Sequence, residues 1–331
     1  MMTKRITIFT AAVICLGLTG VEAAKHKGGG EKDEKGGKEQ KADNTGVNNY
    51  NAGNKEMEQK NYPQAIAEYS RAIELNPKEP AFFENRGFAY LAMNRAEEAS
   101  NDFSKVIELS PNDDRAYLGR AQVYQSTRQY DAAVADASKA IELKPDNVAA
   151  YKIRGFSNVG LAQWDKAIAD FSFAVQHDPN DWQSFDQRAL GYRTLKSYDN
   201  SIADYTAAIE KNPNETASGL GSKAMEYARR GYTYALMSQY EKAIADYKEA
   251  LRLDPNDVDT PMRLQYAQGM LAQKNAPPPT PTPEATPPPV TATLFTPLNI
   301  VLALVILGII AAVVRLVTRG KPESVSSSRI R

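Results

Sequence analysis

A pattern of 34 residues repeats six times between Gly46 and Asp257, and a proline closes each unit: Pro77, Pro111, Pro145, Pro179, Pro213 and Pro255. The first four intervals between these prolines are 34 residues each; the last is 42, the same period plus an eight-residue insertion over Thr216 to Lys223. A fixed period of this size specifies stacked supersecondary units, each burying its apolar face against the next, instead of one central core.

Aligned on their prolines, the units start at 46, 80, 114, 148, 182 and 224. The eighth position is always small: Gly53, Gly87, Ala121, Gly155, Ala189 and Gly231. So is the twentieth: Ala65, Ala99, Ala133, Ala167, Ser201 and Ala243. Position 24 is aromatic in five units (Tyr69, Phe103, Phe171, Tyr205, Tyr247), with Ala137 the exception. Apolar residues recurring at i, i+3, i+4 and i+7 predict two amphipathic helices per unit. The small residues let the paired helices approach, and each closing proline stops the second helix.

In phase over six units and 212 of 331 residues, this set of positions resembles the tetratricopeptide repeat family. The resemblance implies an all-α fold: a right-handed α-solenoid of six helix-turn-helix units over 46–79, 80–113, 114–147, 148–181, 182–215 and 224–257. Residues 258–275 offer one more helix, expected to cap the last unit. The first unit departs from the family at Asn49 and Glu56, where units two, three, five and six carry aromatics; a polar face suits a terminal repeat that meets water.

Position 7 is arginine in units two to six (Arg86, Arg120, Arg154, Arg188, Arg230), and position 23 is aspartate in the same five (Asp102, Asp136, Asp170, Asp204, Asp246). An arginine ladder suggests an anion site, but its co-occurrence with aspartate favours planar ion pairs between helices. Pairing within a unit and pairing with the preceding unit are both compatible with the spacing.

The resemblance places function on a groove lined by the first helix of each unit. Its candidate contact residues here are Tyr50, Asn54, Asn85, Phe88, Arg115, Gln122, Lys152, Phe156, Gln187, Arg193, Arg229 and Tyr232. This mixture of aromatics, amides and both charge signs suits an extended peptide or a partner helix. One subfamily clamps the carboxylates of acidic C-termini. Asn54 and Asn85 match that clamp and Arg115 replaces one lysine, but Tyr50 and Gly119 stand where two of its basic residues belong, so the assignment is rejected. No Ser/His/Asp or Cys/His set, glycine-rich phosphate loop or HExxH motif occurs, and no cofactor or metal set is expected. Acidic pairs such as Asp113-Asp114 fall at turns, where helix capping is the expected role.

The flanks read as export and anchoring. Lys4 and Arg5 precede a 13-residue apolar run, Ile6 to Leu18, and Val21-Glu22-Ala23 supplies a cleavage site, so residues 1–23 are expected to be a signal peptide. The lone cysteine, Cys15, lies inside that run. Residues 24–45 are rich in Lys, Glu and Gly and read as a disordered tether. Residues 276–296 hold eight prolines and read as a spacer of about 65 Å in polyproline II form. An apolar run, Leu298 to Val314, predicts a transmembrane helix over 297–317. The basic residues after it predict a cytoplasmic tail over 318–331. Residues 24–314 hold 33 basic and 38 acidic residues, which argues against a nucleic-acid partner.

These readings converge on a non-catalytic, single-pass membrane scaffold whose repeats lie outside the cytoplasm, in a periplasm, and hold a protein or peptide partner. The alternative is recognition of glycan or cell-wall polymer, or a substrate-presenting role in an envelope enzyme complex, since groove Tyr and Phe rings can stack on sugars.

Overall fold

The computed structural model of the chain describes residues 45–214, 221–276 and 297–319. They fall into two compact units, one ending at Lys274 and the other beginning at Asn275. The described regular elements are all α-helices.

In the first unit the repeats are helical pairs: α1 (Val47–Glu58) with α2 (Tyr62–Leu75), α3 (Pro80–Ala92) with α4 (Ala96–Leu109), and α5 (Asp114–Ser126) with α6 (Tyr130–Leu143). Then come α7 (Val148–Gly160) with α8 (Trp164–His177), α9 (Trp182–Thr194) with α10 (Tyr198–Lys211), and α11 (Lys223–Leu236) with α12 (Tyr240–Leu253). Each second helix ends on an extended residue before its proline, for example Ser110 at φ −141°, ψ 81°, because the proline ring excludes helical geometry from the residue before it. Asp113 caps α5, its carboxylate accepting from the Arg115 and Ala116 amides, which satisfies two amide donors at the start of that helix.

The turn inside each pair passes through one residue with positive φ, always at position 15: Lys60, Asn94, Arg128, Ala162, Lys196 and Ser238, with φ between 56° and 62°. None is glycine, although this left-handed conformation crowds a β-carbon.

The core is a column of aromatic rings between small residues. Tyr69, Phe103, Phe171 and Tyr205 are fully buried. The fit is tight enough that a β-carbon at Gly53 would stand 2.5 Å from the Tyr69 ring, and one at Gly119 would stand 2.5 Å from the Phe103 ring of the preceding unit. Where position 24 is Ala137, the next unit's Ile153 enters the same buried cluster with Ala121. Alanine there is thus compensated by a larger residue across the inter-repeat boundary.

From α1 to α9, each first helix touches the first helix of the next unit, while second helices reach the next unit through its first helix. The first helices therefore crowd one side of the array and form its inner surface. At the insertion α9 and α11 make fewer close backbone approaches than the other neighbouring first helices, although α10 still packs on α11. Side chains fill the widened interval.

A last helix, α13 (Thr260–Asn275), packs Ala267 against Tyr240, Ala243 and Tyr247, with Leu264, Met270 and Leu271 around them. It covers the sixth unit, but its outer side is not wholly polar: Met262 and Tyr266 are 70% and 60% exposed, and Val258, just before the helix, is 83% exposed.

The second unit contains α14 (Pro297–Arg319). Its described side chains lie between Val301 and Arg315 and are exposed. Among the described residues no helix is long and apolar enough to cross a membrane. The expected transmembrane helix is therefore not supported. The single-pass anchor, the membrane partner, the cytoplasmic tail and the periplasmic placement of the repeats fall with it, since orientation was argued from that span. The expected signal peptide over 1–23, most of the tether and the proline-rich spacer lie outside the described residues; export rests on no structural observation.

Candidate functional site: the first-helix groove

The arginine ladder is part of the frame. Arg120 donates from Nε to Asp136 Oδ2 at 2.7 Å and from Nη2 to Asp136 Oδ1 at 2.9 Å, both residues lying in unit three. Its Nη1 reaches back to Ser104 Oγ of unit two at 3.1 Å. The same arrangement joins Arg86 to Asp102 and Ser70, Arg154 to Asp170 and Ser138, Arg188 to Asp204 and Ser172, and Arg230 to Asp246 and Thr206. In units two, three and five the guanidinium also lies near the rings at positions 4 and 11, as Arg120 does 5.9 Å from Tyr117 and 5.8 Å from Tyr124; in units four and six it lies near the position-4 ring. A cation held by a carboxylate, a hydroxyl and two rings has no donor face left for a ligand. Unit one has no such arginine, and Asn49 Nδ2 donates to Glu68 Oε2 there instead, at 2.8 Å.

The groove begins with a connected polar cluster. Asn85 Nδ2 on α3 donates to Tyr50 OH at 3.0 Å and to Asn54 Oδ1 at 2.8 Å, both on α1, and Tyr69 OH donates to the same Asn54 oxygen at 2.8 Å. The Tyr50 ring packs on Tyr69 and Phe82. The two asparagines that resemble the carboxylate clamp are thus bound to each other and to tyrosines.

Farther along, charges pair across unit boundaries. Arg115 Nε stands 2.9 Å from Glu84 Oε1, but out of line for a hydrogen bond, so that buried oxygen has no donor. Burial, aided by Asp113 and Asp114 and opposed by Arg115, pushes the Glu84 carboxyl up to about 7. Lys152 Nζ lies 2.8 Å from Asp181 Oδ2 at the start of α9. Phe88 and Phe156 are half-buried and stand edge-on to Phe103 and Phe171, at 5.0 and 5.1 Å. Arg115 also lies over Phe88 at 5.9 Å. Gln122 is half-exposed on α5, without a partner among those described.

The far end differs. Arg229 on α11 crosses the widened interval to the carboxylate of Asp186 on α9, and Gln187 Nε2 donates to Asp186 Oδ2 at 3.0 Å. Beneath them Glu226 is buried; its Oε1 accepts from Asn212 Nδ2 at 2.8 Å and its Oε2 has no partner. Burial, reinforced by Asp186 and opposed by Asn212, Arg229 and Lys223, pushes the Glu226 carboxyl up to about 8. The Tyr205 hydroxyl beside this cluster is fully buried and also unbonded. Arg193 lies 5.8 Å from the Tyr205 ring and 5.3 Å from the Tyr232 ring. Arg263 of α13 lies 5.7 Å from the Tyr232 ring.

The structure therefore brings together Tyr50, Asn54 and Asn85, then Phe88 and Arg115, then Gln187, Arg193, Arg229 and Tyr232. Lys152, Phe156 and Gln122 stand apart from these clusters on the same surface. Sequence reasoning missed Glu226, Tyr205 and Arg263 as members of the far cluster. For Arg263 a signal existed: with a further start at 258, Met262, Arg263 and Tyr266 fall at positions 5, 6 and 9, which are groove positions in the earlier units.

Three models of the tetratricopeptide repeat match the chain, over residues 53–94, 85–148 and 224–257. No protein with a curated description matches it. Among solved structures, the array is similar to YrrB, described as a TPR protein with an unusual peptide-binding site (23% identity, TM-score 0.52, 61% of this chain and 97% of that one). It is also similar to Pseudomonas aeruginosa pilF (13% identity, TM-score 0.55, 69% of this chain and 98% of that one). Repeat models and fold agree that the array is similar to tetratricopeptide repeat proteins, which are characteristically non-catalytic protein-binding scaffolds.

Proposed function

We propose that the first-helix groove holds a peptide or helix of a partner protein, so that the chain acts as a non-catalytic interaction scaffold. One observation carries this reading. Phe88 and Phe156 at position 9 are each propped edge-on against a buried ring, while Tyr232 at the same position in unit six is 41% exposed. Apolar surface presented on a rigid backing loses little conformational entropy on binding. The polar residues between them are already bonded across repeats, which fixes the donors and acceptors a partner would meet. That a similar fold carries a peptide-binding site in YrrB supports the same reading.

Sugar stacking is less well served. Phe88 and Phe156 are half-buried against other rings, and Tyr232 already has two guanidiniums beside it. A random twelve-residue peptide library displayed on phage, selected on the full chain, tests the proposal. Selected peptides should bind more weakly to Phe88→Ala and Phe156→Ala chains and equally well to a Lys248→Ala chain. Failure to select any sequence, or binding indifferent to both phenylalanines, would refute it.

A further inference from the structure

Most cations along the groove are already neutralised. Arg115 faces Glu84, Lys152 faces Asp181, and Arg229 faces Asp186. Arg193 has no carboxylate partner among the described residues; its contacts are the rings of Tyr205 and Tyr232. Arg263, 5.7 Å from the Tyr232 ring, has Asp259 at 3.8 Å, a carboxylate that is 71% exposed, and the Asp257 carboxylate, bonded to the Thr260 hydroxyl, also within electrostatic reach. Two guanidiniums thus lie 5.3 and 5.7 Å from the centre of one exposed tyrosine ring, and neither makes a close ion pair. The Tyr205 hydroxyl, fully buried nearby, has no hydrogen-bond partner among the described residues.

We propose that Arg193, Arg263 and Tyr232 form a carboxylate-binding site for an aspartate or glutamate side chain of a peptide lying in the groove. The proposal rests on the peptide-binding reading above and adds the chemistry of the ligand. Charge in the surroundings supports it: Asp186 is used by Arg229, and Glu226, held protonated near neutrality by its burial, offsets neither arginine. A carboxylate that reaches either guanidinium makes charge-assisted hydrogen bonds, and the Tyr232 ring supplies apolar contact beside it. The acid belongs to a side chain and not to a chain end, because the surface continues past the site. Met262 and Tyr266, on the turns of α13 next to Arg263, are exposed apolar residues in line with Tyr232, so a bound peptide has contacts on both sides of its acid.

The same peptide library, selected on the full chain and on an Arg193→Gln/Arg263→Gln chain, provides the test. Neither arginine holds a buried carboxylate, so the double variant should melt with the parent. Selection on the parent should enrich Asp or Glu at one position. In the strongest peptide, made synthetically with an amidated end, Glu→Gln or Asp→Asn should weaken binding about tenfold or more, with no further loss on the double variant. Peptides that need Phe88 but show no acid enrichment, or that bind the double variant equally well, would overturn the carboxylate site and leave the scaffold reading standing. Peptides that need only a free C-terminus would overturn the side-chain assignment. A library that yields nothing dependent on Phe88 or Phe156 would overturn both readings.

Discussion

Ile153 fills space that Ala137 leaves open: the two share a buried cluster with Ala121 across the boundary between units three and four. At the preceding boundary the roles are reversed, with Phe103 pressed on Gly119. At these two boundaries the same pair of positions, 24 in one unit and 6 in the next, holds large with small and small with large. Ile153→Gly alone should cost about 3–5 kcal/mol, since it opens a cavity and loosens a helix. Ala137→Phe alone should cost about 1–3 kcal/mol by overpacking. Combined, they rebuild the Phe103–Gly119 arrangement and should recover at least ~1 kcal/mol relative to their sum. Urea midpoints of the four proteins measure this, and strict additivity would refute the complementarity.

Arg120 joins two units through three groups, and its loss should be felt more than that of any one partner. Arg120→Met leaves Asp136 buried without its cation and should cost about 3–5 kcal/mol. Ser104→Ala removes only the inter-repeat hydrogen bond and should cost about 1 kcal/mol. Arg120→Met with Asp136→Leu should be milder than Arg120→Met alone, because no unpaired charge remains. Denaturant melts decide this; a double variant worse than the single one would mean that the charges themselves hold the boundary.

Much of this frame was readable in the residues. The aspartate occurs in the units that have the arginine, which points to pairing inside a unit. The hydroxyl at position 25 instead runs over units one to five (Ser70, Ser104, Ser138, Ser172, Thr206) and becomes Lys248 in unit six. It tracks the arginine of the following unit, and α13 has Leu264 where that arginine would be. Reading that offset would have revealed both halves of the ladder. Ala137 looked like an exception because its compensation, Ile153, lies one unit on. The far end of the groove was harder to see: Glu226 and Tyr205 sit at positions with other roles in the repeat, and only the wider interval after the insertion brings them under Arg229. Composition misled at α14, where an apolar run was read as a span that the described helix does not support.

Glu84 and Glu226 should make the array less stable as pH rises. Their folded-state values, about 7 and about 8, lie above the ordinary glutamate value, so the folded chain holds more protons than the unfolded one in between. Stability contributed by their protonated forms is present at low pH and is lost from about pH 4.5 upward, through pH 7 for Glu84 and pH 8 for Glu226, on the order of 1–3 kcal/mol per group. Glu226→Gln should therefore be stabilising relative to the parent at pH 9 and close to neutral at pH 4. Thermal melts across that range test the sign: a variant whose advantage does not grow as pH rises would show that the Glu226 carboxyl ionises as an ordinary one.

Ala162 occupies the left-handed turn between α7 and α8, where its amide donates to Val159 O at 3.0 Å and the next amide, Gln163, donates to Asn158 O at 2.8 Å. Those bonds fix φ near 56° whatever residue is present, and an alanine β-carbon is crowded there. Glycine relieves the crowding but widens the unfolded ensemble, so Ala162→Gly should gain a net ~0.5–1 kcal/mol. Asn94 holds the same place in unit two, and asparagine tolerates this conformation, so Asn94→Gly should change stability by only about 0.3 kcal/mol. Ala162→Val, adding a branched β-carbon, should lose more than 1 kcal/mol by the same crowding. Melting temperatures of the three variants rank the effects. An Ala162→Gly chain no more stable than the parent would mean that the turn carries no strain for glycine to release, and that side chains at position 15 make contacts worth as much as the conformation costs.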